Sequence, residues 1–190
     1  MDESNNVLVE DTENERTVAV YEWVEAAIFA LVCVVLVFTF LFRIVGVDGE
    51  SMQTTLMDHD RLILTRLNYT PERGDIVVIN RYTQEPLVKR VIAKGNDTLD
   101  IDAQTVEVLL NGKVLDEPYL DDFQRTDPME FQVPITIPEG YVFVMGDNRL
   151  NSHDSRKRDI SCVSEKDLMG KAVFRLWPFS HIGGLYNYGG

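Results

Sequence analysis

The 190-residue sequence predicts a mainly β fold: an antiparallel β domain with a small β insertion, preceded by one N-terminal transmembrane helix. Three observations carry this expectation. An uncharged apolar run fills residues 26–42, short strand-like runs divided by turn formers dominate beyond Gly46, and an Asn111-Gly112 pair joins two of those runs. A chain of this length holds one membrane segment and one compact unit, with little room for a second independent domain.

The apolar run AAIFALVCVVLVFTFLF has seventeen residues and no charge. As a helix it spans roughly 26 Å at about 1.5 Å per residue, just short of a hydrocarbon core. Extending it back to Tyr21 and Trp23 reaches the full thickness and supplies two rings for the interface. Its valines do not oppose a helix, because in lipid no other single segment satisfies its own backbone. A cleaved signal peptide fits poorly, since the preceding residues are acidic and no small-x-small site follows Phe42. The expected division is an acidic tail over 1–20, an anchor over 21–43 and a folded part over 44–190. Arg16 and Arg43 flank the anchor one on each side, so charge leaves its orientation open.

Of the net charge of −13, −6 lies in residues 1–43, and the rest is spread without a basic stripe. Nucleic acid is thereby excluded as a partner. Cys33 lies in the apolar run and Cys162 far from it, so no disulfide between them is expected. No Cys/His spacing resembles a zinc site, and no cofactor is called for.

Strands are expected over 61–64, 75–79, 87–92, 105–110, 131–137, 141–145 and 172–176, each short and rich in β-branched residues. Pro71-Glu72-Arg73-Gly74, Pro138-Glu139-Gly140 and Gly146-Asp147-Asn148 punctuate them. Asn111-Gly112 is a hairpin signal, because a two-residue turn of matching twist needs positive φ at both positions. Short helical turns are expected at 51–56 and 164–169. Residues 96–138, acidic and turn-rich, read as an insertion: either a solvated excursion or a small β subdomain.

Ser51, in Gly49-Glu50-Ser51-Met52, lies just past the apolar run, and Lys89 follows in Leu87-Val88-Lys89-Arg90-Val91-Ile92. A serine hydroxyl needs a base, and a lysine serves only when neutral. Its ordinary pKa of roughly 10.4 leaves almost none neutral at pH 7. Burial among apolar groups lowers it, because the charged form loses hydration. Alternation puts Leu87, Lys89 and Val91 on one face and Val88, Arg90 and Ile92 on the other. The lysine can then be buried while the arginine stays in water. Taken alone, Lys89 is read as an ordinary surface lysine. The dense polar turn over 146–156, straight after an apolar strand, offers the hydroxyls and acid–base pairs that would orient a buried base.

In order, Gly49-Glu50-Ser51-Met52 with Thr55-Leu56, Arg73-Gly74-Asp75-Ile76-Val77-Val78, Val88-Lys89-Arg90-Val91 and Gly146-Asp147-Asn148-Arg149 with Ser152-x-Asp154-Ser155-Arg156 resemble the motif set of type I signal peptidases. Gly170-Lys171-Ala172 and Trp177-Pro178 are similar too. Each motif alone is weak; the ordered set is specific. The resemblance implies a coiled antiparallel β fold and a single-pass endopeptidase that cleaves signal peptides from exported preproteins. It places the catalytic part on the extracytoplasmic side of the plasma membrane, near the secretion machinery. It also implies that Ser51 is the nucleophile, Lys89 the general base and Ser152 a hydroxyl bonded to the lysine amine. Asp147, Asp154 and Arg156 would be supporting ionic residues. The Ser51 N–H would hold the oxyanion, with Gly49 standing where some relatives add a serine hydroxyl. Substrates would carry small side chains one and three residues before the cut, received near Val47, Met52, Leu56, Leu87 and Val88. Thr54 departs from the family's usual proline, and His59 and Ser161 from its usual glycines.

Three other readings stay open from sequence: a histidine triad using His59 or His153, a self-cleaving Ser/Lys repressor type, and a non-catalytic tethered β domain that binds a partner. The repressor type lacks its DNA-binding module here.

Overall fold

The computed structural model describes residues 3–66, 69–82, 84–102, 104–121, 126–130 and 132–186. Among the described residues, helix α1 (Glu3–Leu41) is followed by twelve strands. These are β1 (Phe42–Gly46), β2 (Arg61–Thr65), β3 (Ile76–Ile79), β4 (Leu87–Lys94), β5 (Thr98–Ile101) and β6 (Val108–Leu110). β7 (Lys113–Val114), β8 (Ile135–Thr136), β9 (Tyr141–Met145), β10 (Val163–Ser164), β11 (Leu168–Trp177) and β12 (Gly183–Gly184) complete the set.

The segment expected as an acidic tail is helical from Glu3 and continuous with the apolar run. Within α1, Val18–Leu36 has a mean hydropathy of 2.0 and is long and apolar enough to cross a membrane. Its rings and aliphatic chains face outward all round, with Trp23 78% and Leu31 64% exposed, as expected of a helix whose solvent is lipid. Thr39, polar within the run, donates its hydroxyl to the Val35 carbonyl at 2.7 Å.

The remaining chain forms two sheets. The larger has the order β1-β2-β11-β3-β4-β9-β10 with β12 on β11, and the smaller the order β7-β6-β5-β8. β11 starts at Leu168 rather than at the expected 172. The reason is local: Ser164 Oγ accepts the Lys166 N–H, closes a short 3-10 turn over Glu165–Asp167, and the chain straightens at once against Ile79. The expected 51–56 segment is a run of turns, closed by Gln53 N–H donating to Glu50 O at 3.1 Å and Leu56 N–H to Met52 O at 2.9 Å. The hairpin is as predicted: Asn111 and Gly112 have φ of 53° and 76°, and Leu110 faces Lys113. Residues 105–107 are not strand, because Asp102 draws the Gln104 and Thr105 N–H groups into a turn. Only 135–136 of the expected 131–137 strand is paired, and Phe131 lies outside the described residues. The stretch expected as an insertion carries the strands of the smaller sheet.

β4 is buried on both faces, which is why it reads as an apolar run interrupted by two cations. On one side Val88 packs with Ile76, Val78, Met52, Leu56 and Leu62. On the other, Leu87 and Val91 pack with Val77, Ile79, Val144 and Leu168. A third cluster around Ile92, Phe143 and Met145 joins the insertion through Leu99, Val108 and Leu110. Each such side chain contributes about 1.5–3 kcal/mol on burial.

Candidate active site

β4 pairs β3 with Lys89 opposite Val77, but its register with β9 begins only at Arg90, opposite Met145. β9 therefore stops beside Lys89, and the polar turn that follows it is delivered there. The β1–β2 connection brings Ser51 to the same place. Lys89 Nζ lies 2.6 Å from Ser51 Oγ and donates to the Val88 carbonyl at 2.9 Å. Lys89 is 2% exposed. Burial pushes its pKa down to about 8, against the smaller opposing pull of the Asp154 and Asp147 charges. An ammonium donates to Ser51 Oγ; a neutral amine at the same distance accepts the hydroxyl proton.

The turn is held by buried ion pairs. Asp147 receives Arg90 in two bonds of 2.8 and 2.6 Å, and Asp154 receives Arg156 in two of 2.8 Å. Burial alone would raise the Asp154 pKa, but Arg156 and the Gly146 N–H hold it below the usual range. Asp154 accepts that N–H at 3.0 Å, and Asn148 N–H donates to the Ser51 carbonyl at 3.0 Å. The turn thus grips the backbone of the serine itself.

Three expectations change. Arg90 is not in water: it is fully buried, because Asp147, the Gly74 carbonyl and the Tyr119 ring replace its hydration. Ser152 does not bond the lysine amine. Its hydroxyl is buried against Gly146 and, among the described residues, has no hydrogen-bond partner, although its proximity helps to lower the Asp154 pKa. Of the five proposed pocket residues, Val47, Met52, Leu56 and Val88 share one buried cluster, whereas Leu87 belongs to the cluster across the sheet. Neighbours on a strand point to opposite faces, so Leu87 and Val88 cannot line one pocket.

Neither histidine of the alternative triad bonds Ser51: His59 contacts Asp58, and His153 contacts Asp159 at 2.8 Å, both at exposed positions. Among the described residues no Asp, Glu, His or Cys group has the arrangement of a metal site. Sequence reasoning missed the Val88 carbonyl and Glu117, which pairs with Arg149. A backbone acceptor carries no sequence signal, and Glu117 sits in the acidic insertion among other acids.

The model of the family described as signal peptidase, peptidase S26 matches residues 20–177. The chain belongs to the signal peptidase family. Membership makes it a peptidase. It is 36% identical over 192 residues to signal peptidase I T of Bacillus subtilis strain 168, covering 96% of this chain and 98% of that protein. To a signal peptidase I of Bacillus amyloliquefaciens it is 37% identical over 186 residues, 90% of this chain and 97% of the other. A crystal structure of a signal peptidase I from Enterococcus faecalis aligns with a TM-score of 0.46 at 26% identity, over 55% of this chain and 98% of that one.

The departures from the signal peptidase pattern now have a physical reading. His59 and Ser161, where the resemblance implies glycines, have φ of 67° and 53°. Side chains resist that left-handed region by about 1–2 kcal/mol, partly offset in a glycine variant by its larger unfolded-state entropy. His59→Gly and Ser161→Gly are each expected to stabilise the protein by about 0.5 kcal/mol, read as a higher urea midpoint with unchanged slope. Gly49 has φ of 86°, so a serine introduced there as a second oxyanion donor would be strained. Its own N–H donates to Asp58 at 2.9 Å.

Proposed function

We propose that the chain is a membrane-anchored signal peptidase of the Ser/Lys type that cleaves signal peptides from exported preproteins. Neutral Lys89 takes the Ser51 proton as Oγ attacks the scissile carbonyl, then delivers it to the leaving amine. Water hydrolyses the acyl-enzyme with Lys89 again as base. The 2.6 Å contact between a buried, pKa-lowered lysine and Ser51 Oγ carries this reading. Among the described residues the Ser51 N–H has no acceptor, which suits an oxyanion donor. Asp147, Asp154 and Arg156 brace the turn behind the serine, and Ser152 forms the wall behind Gly146.

Residues 87–89 of β4 have β3 on one edge and no β9 partner on the other, so an extended substrate can add there as a strand. Alternate substrate residues then share a face. Those one and three before the cut would meet Val47, Met52, Leu56 and Val88, all at most 7% exposed, and so well packed that only small side chains enter. Leu87 faces away. The apolar helix holds the enzyme in the plasma membrane with the peptidase domain on the extracytoplasmic side, near the secretion machinery. There the substrate's own apolar segment raises its local concentration. No cofactor enters the scheme.

The pH profile tests it. Cleavage of a preprotein by the full chain in detergent micelles is expected to fall about tenfold per pH unit below the lysine pKa of about 8. A variant lacking His59, His153 and His181 is expected to keep that profile. A rate unchanged down to pH 5, or lost with the histidines, overturns the lysine-base reading.

A further inference from the structure

Three arginines in or bonded to the active-site turn have no solvent exposure: Arg90, Arg149 and Arg156. Two have their acids within the motifs, Arg90 in Asp147 and Arg156 in Asp154. The third, Arg149, forms its ion pair outside the motifs. Its acid comes from the insertion: Glu117 receives Arg149 through both carboxylate oxygens. Burial alone would lower the Arg149 pKa, and Glu117 reverses the shift to an upward one.

Glu117 is itself fixed. Tyr119 donates its hydroxyl to Glu117 Oε1 at 2.7 Å, and the same ring lies 3.9 Å under the Arg90 guanidinium. Thr126, also of the insertion, accepts from Arg149 at 2.5 Å. Arg149 carries the restraint into the site. Its Nε donates to the Gly146 carbonyl at 3.2 Å, and its own carbonyl accepts from Arg156 at 2.9 Å. Its neighbour Asn148 donates from N–H to the Ser51 carbonyl and from Nδ2 to the Glu50 carbonyl. From Glu117 to the nucleophile there is one continuous series of bonds.

We propose that Glu117 is a positioning residue for the cleavage reaction, acting through Arg149 to fix the turn that holds the Ser51 backbone. The insertion is thereby part of the active-site support. This inference rests on the Ser51 and Lys89 reading given above.

The test uses the full chain in detergent micelles with a preprotein substrate. Glu117→Gln keeps the shape and removes the charge. It is expected to lower kcat roughly 10- to 100-fold with KM within about twofold, as a displaced nucleophile would. A purely structural role would track folding instead. The double variant Glu117→Leu/Arg149→Met separates the two, because replacing both ends of a buried ion pair with apolar groups restores stability while Gly146 stays without its donor. Its thermal midpoint is expected to return close to the parent's, with kcat still at least about tenfold down. If Glu117→Gln does not fold, the double variant carries the test alone. A parental kcat in Glu117→Gln, a loss confined to KM, or full recovery of kcat in the double variant overturns the proposal. Ser51→Ala in the same assay keeps the two readings apart. If it cleaves, the nucleophile assignment is wrong; if it is inactive while Glu117→Gln matches the parent, the Glu117 role alone is wrong.

Discussion

Ser51→Ala and Lys89→Met are each expected to lower the rate of preprotein cleavage roughly ten-thousandfold or more under the proposed mechanism, in which a nucleophile and its base act as one unit. Their effects on stability should differ. Ser51→Ala removes one hydroxyl from a half-buried position. Lys89→Met removes a charge that the fold holds against its preference. The folded-state pKa of Lys89, about 8, lies below its ordinary 10.5. Below pH 8 the lysine is protonated in both states, and the folded state carries the whole desolvation penalty, roughly 3 kcal/mol. Between the two pKa values the unfolded chain binds more protons, so the parent gains stability as pH rises. Above them the penalty is gone. Lys89→Met also loses the bond to the Val88 carbonyl, which offsets about 1 kcal/mol. The inactive variant should therefore be more stable than the parent by about 2 kcal/mol at pH 7, with the advantage lost before pH 10.5 and reversed there by the missing hydrogen bond. Urea denaturation of both chains at the two pH values measures this. Equal or lower stability of the variant at pH 7 would contradict a buried lysine with a lowered pKa.

The fold was legible wherever local chemistry decides the backbone. The apolar run, the Asn111-Gly112 hairpin and the β-branched runs at β2, β3, β4 and β9 each carry their own cause. What escaped was decided by pairing. β5, β10 and β12 are two to four residues long and exist because a neighbouring strand supplies partners. Helicity through the acidic residues 3–20 is of another kind: propagation from an established helix needs only one bond per added residue.

The site was legible to a different depth. Ser51, Lys89 and the 146–156 turn lie in motifs, and the fold brings them together. The fate of Arg90 could not be read from alternation, which assigns a face but not whether that face is covered. The insertion covers it with Tyr119. The separation of Leu87 from Val88 did follow from alternation, and proximity to the catalytic residues along the chain obscured it.

Gly146→Ala is expected to disable the site without touching a reacting group. Gly146 does not need glycine for its backbone angles; it needs it for space. A Cβ there would lie 2.3 Å from both the Ser51 carbonyl oxygen and Ser152 Oγ, and 2.7 Å from Ser152 Cβ. Contacts this short force displacement, and the Ser51 carbonyl belongs to the residue proposed as the nucleophile. Moving a nucleophile by about 1 Å is enough for a roughly hundredfold loss in kcat, and overpacking costs about 1–3 kcal/mol of stability. Gly46→Ala, where nothing lies within 4 Å of the added carbon, is the control and should be close to silent. Adding Ser152→Ala to Gly146→Ala relieves the hydroxyl contact but leaves the backbone carbonyl in place, so activity should stay low. If the double variant recovered the parental rate, the serine side chain rather than the Ser51 backbone would be the constraint, and the close approach of Gly146 to the nucleophile would not be what positions it.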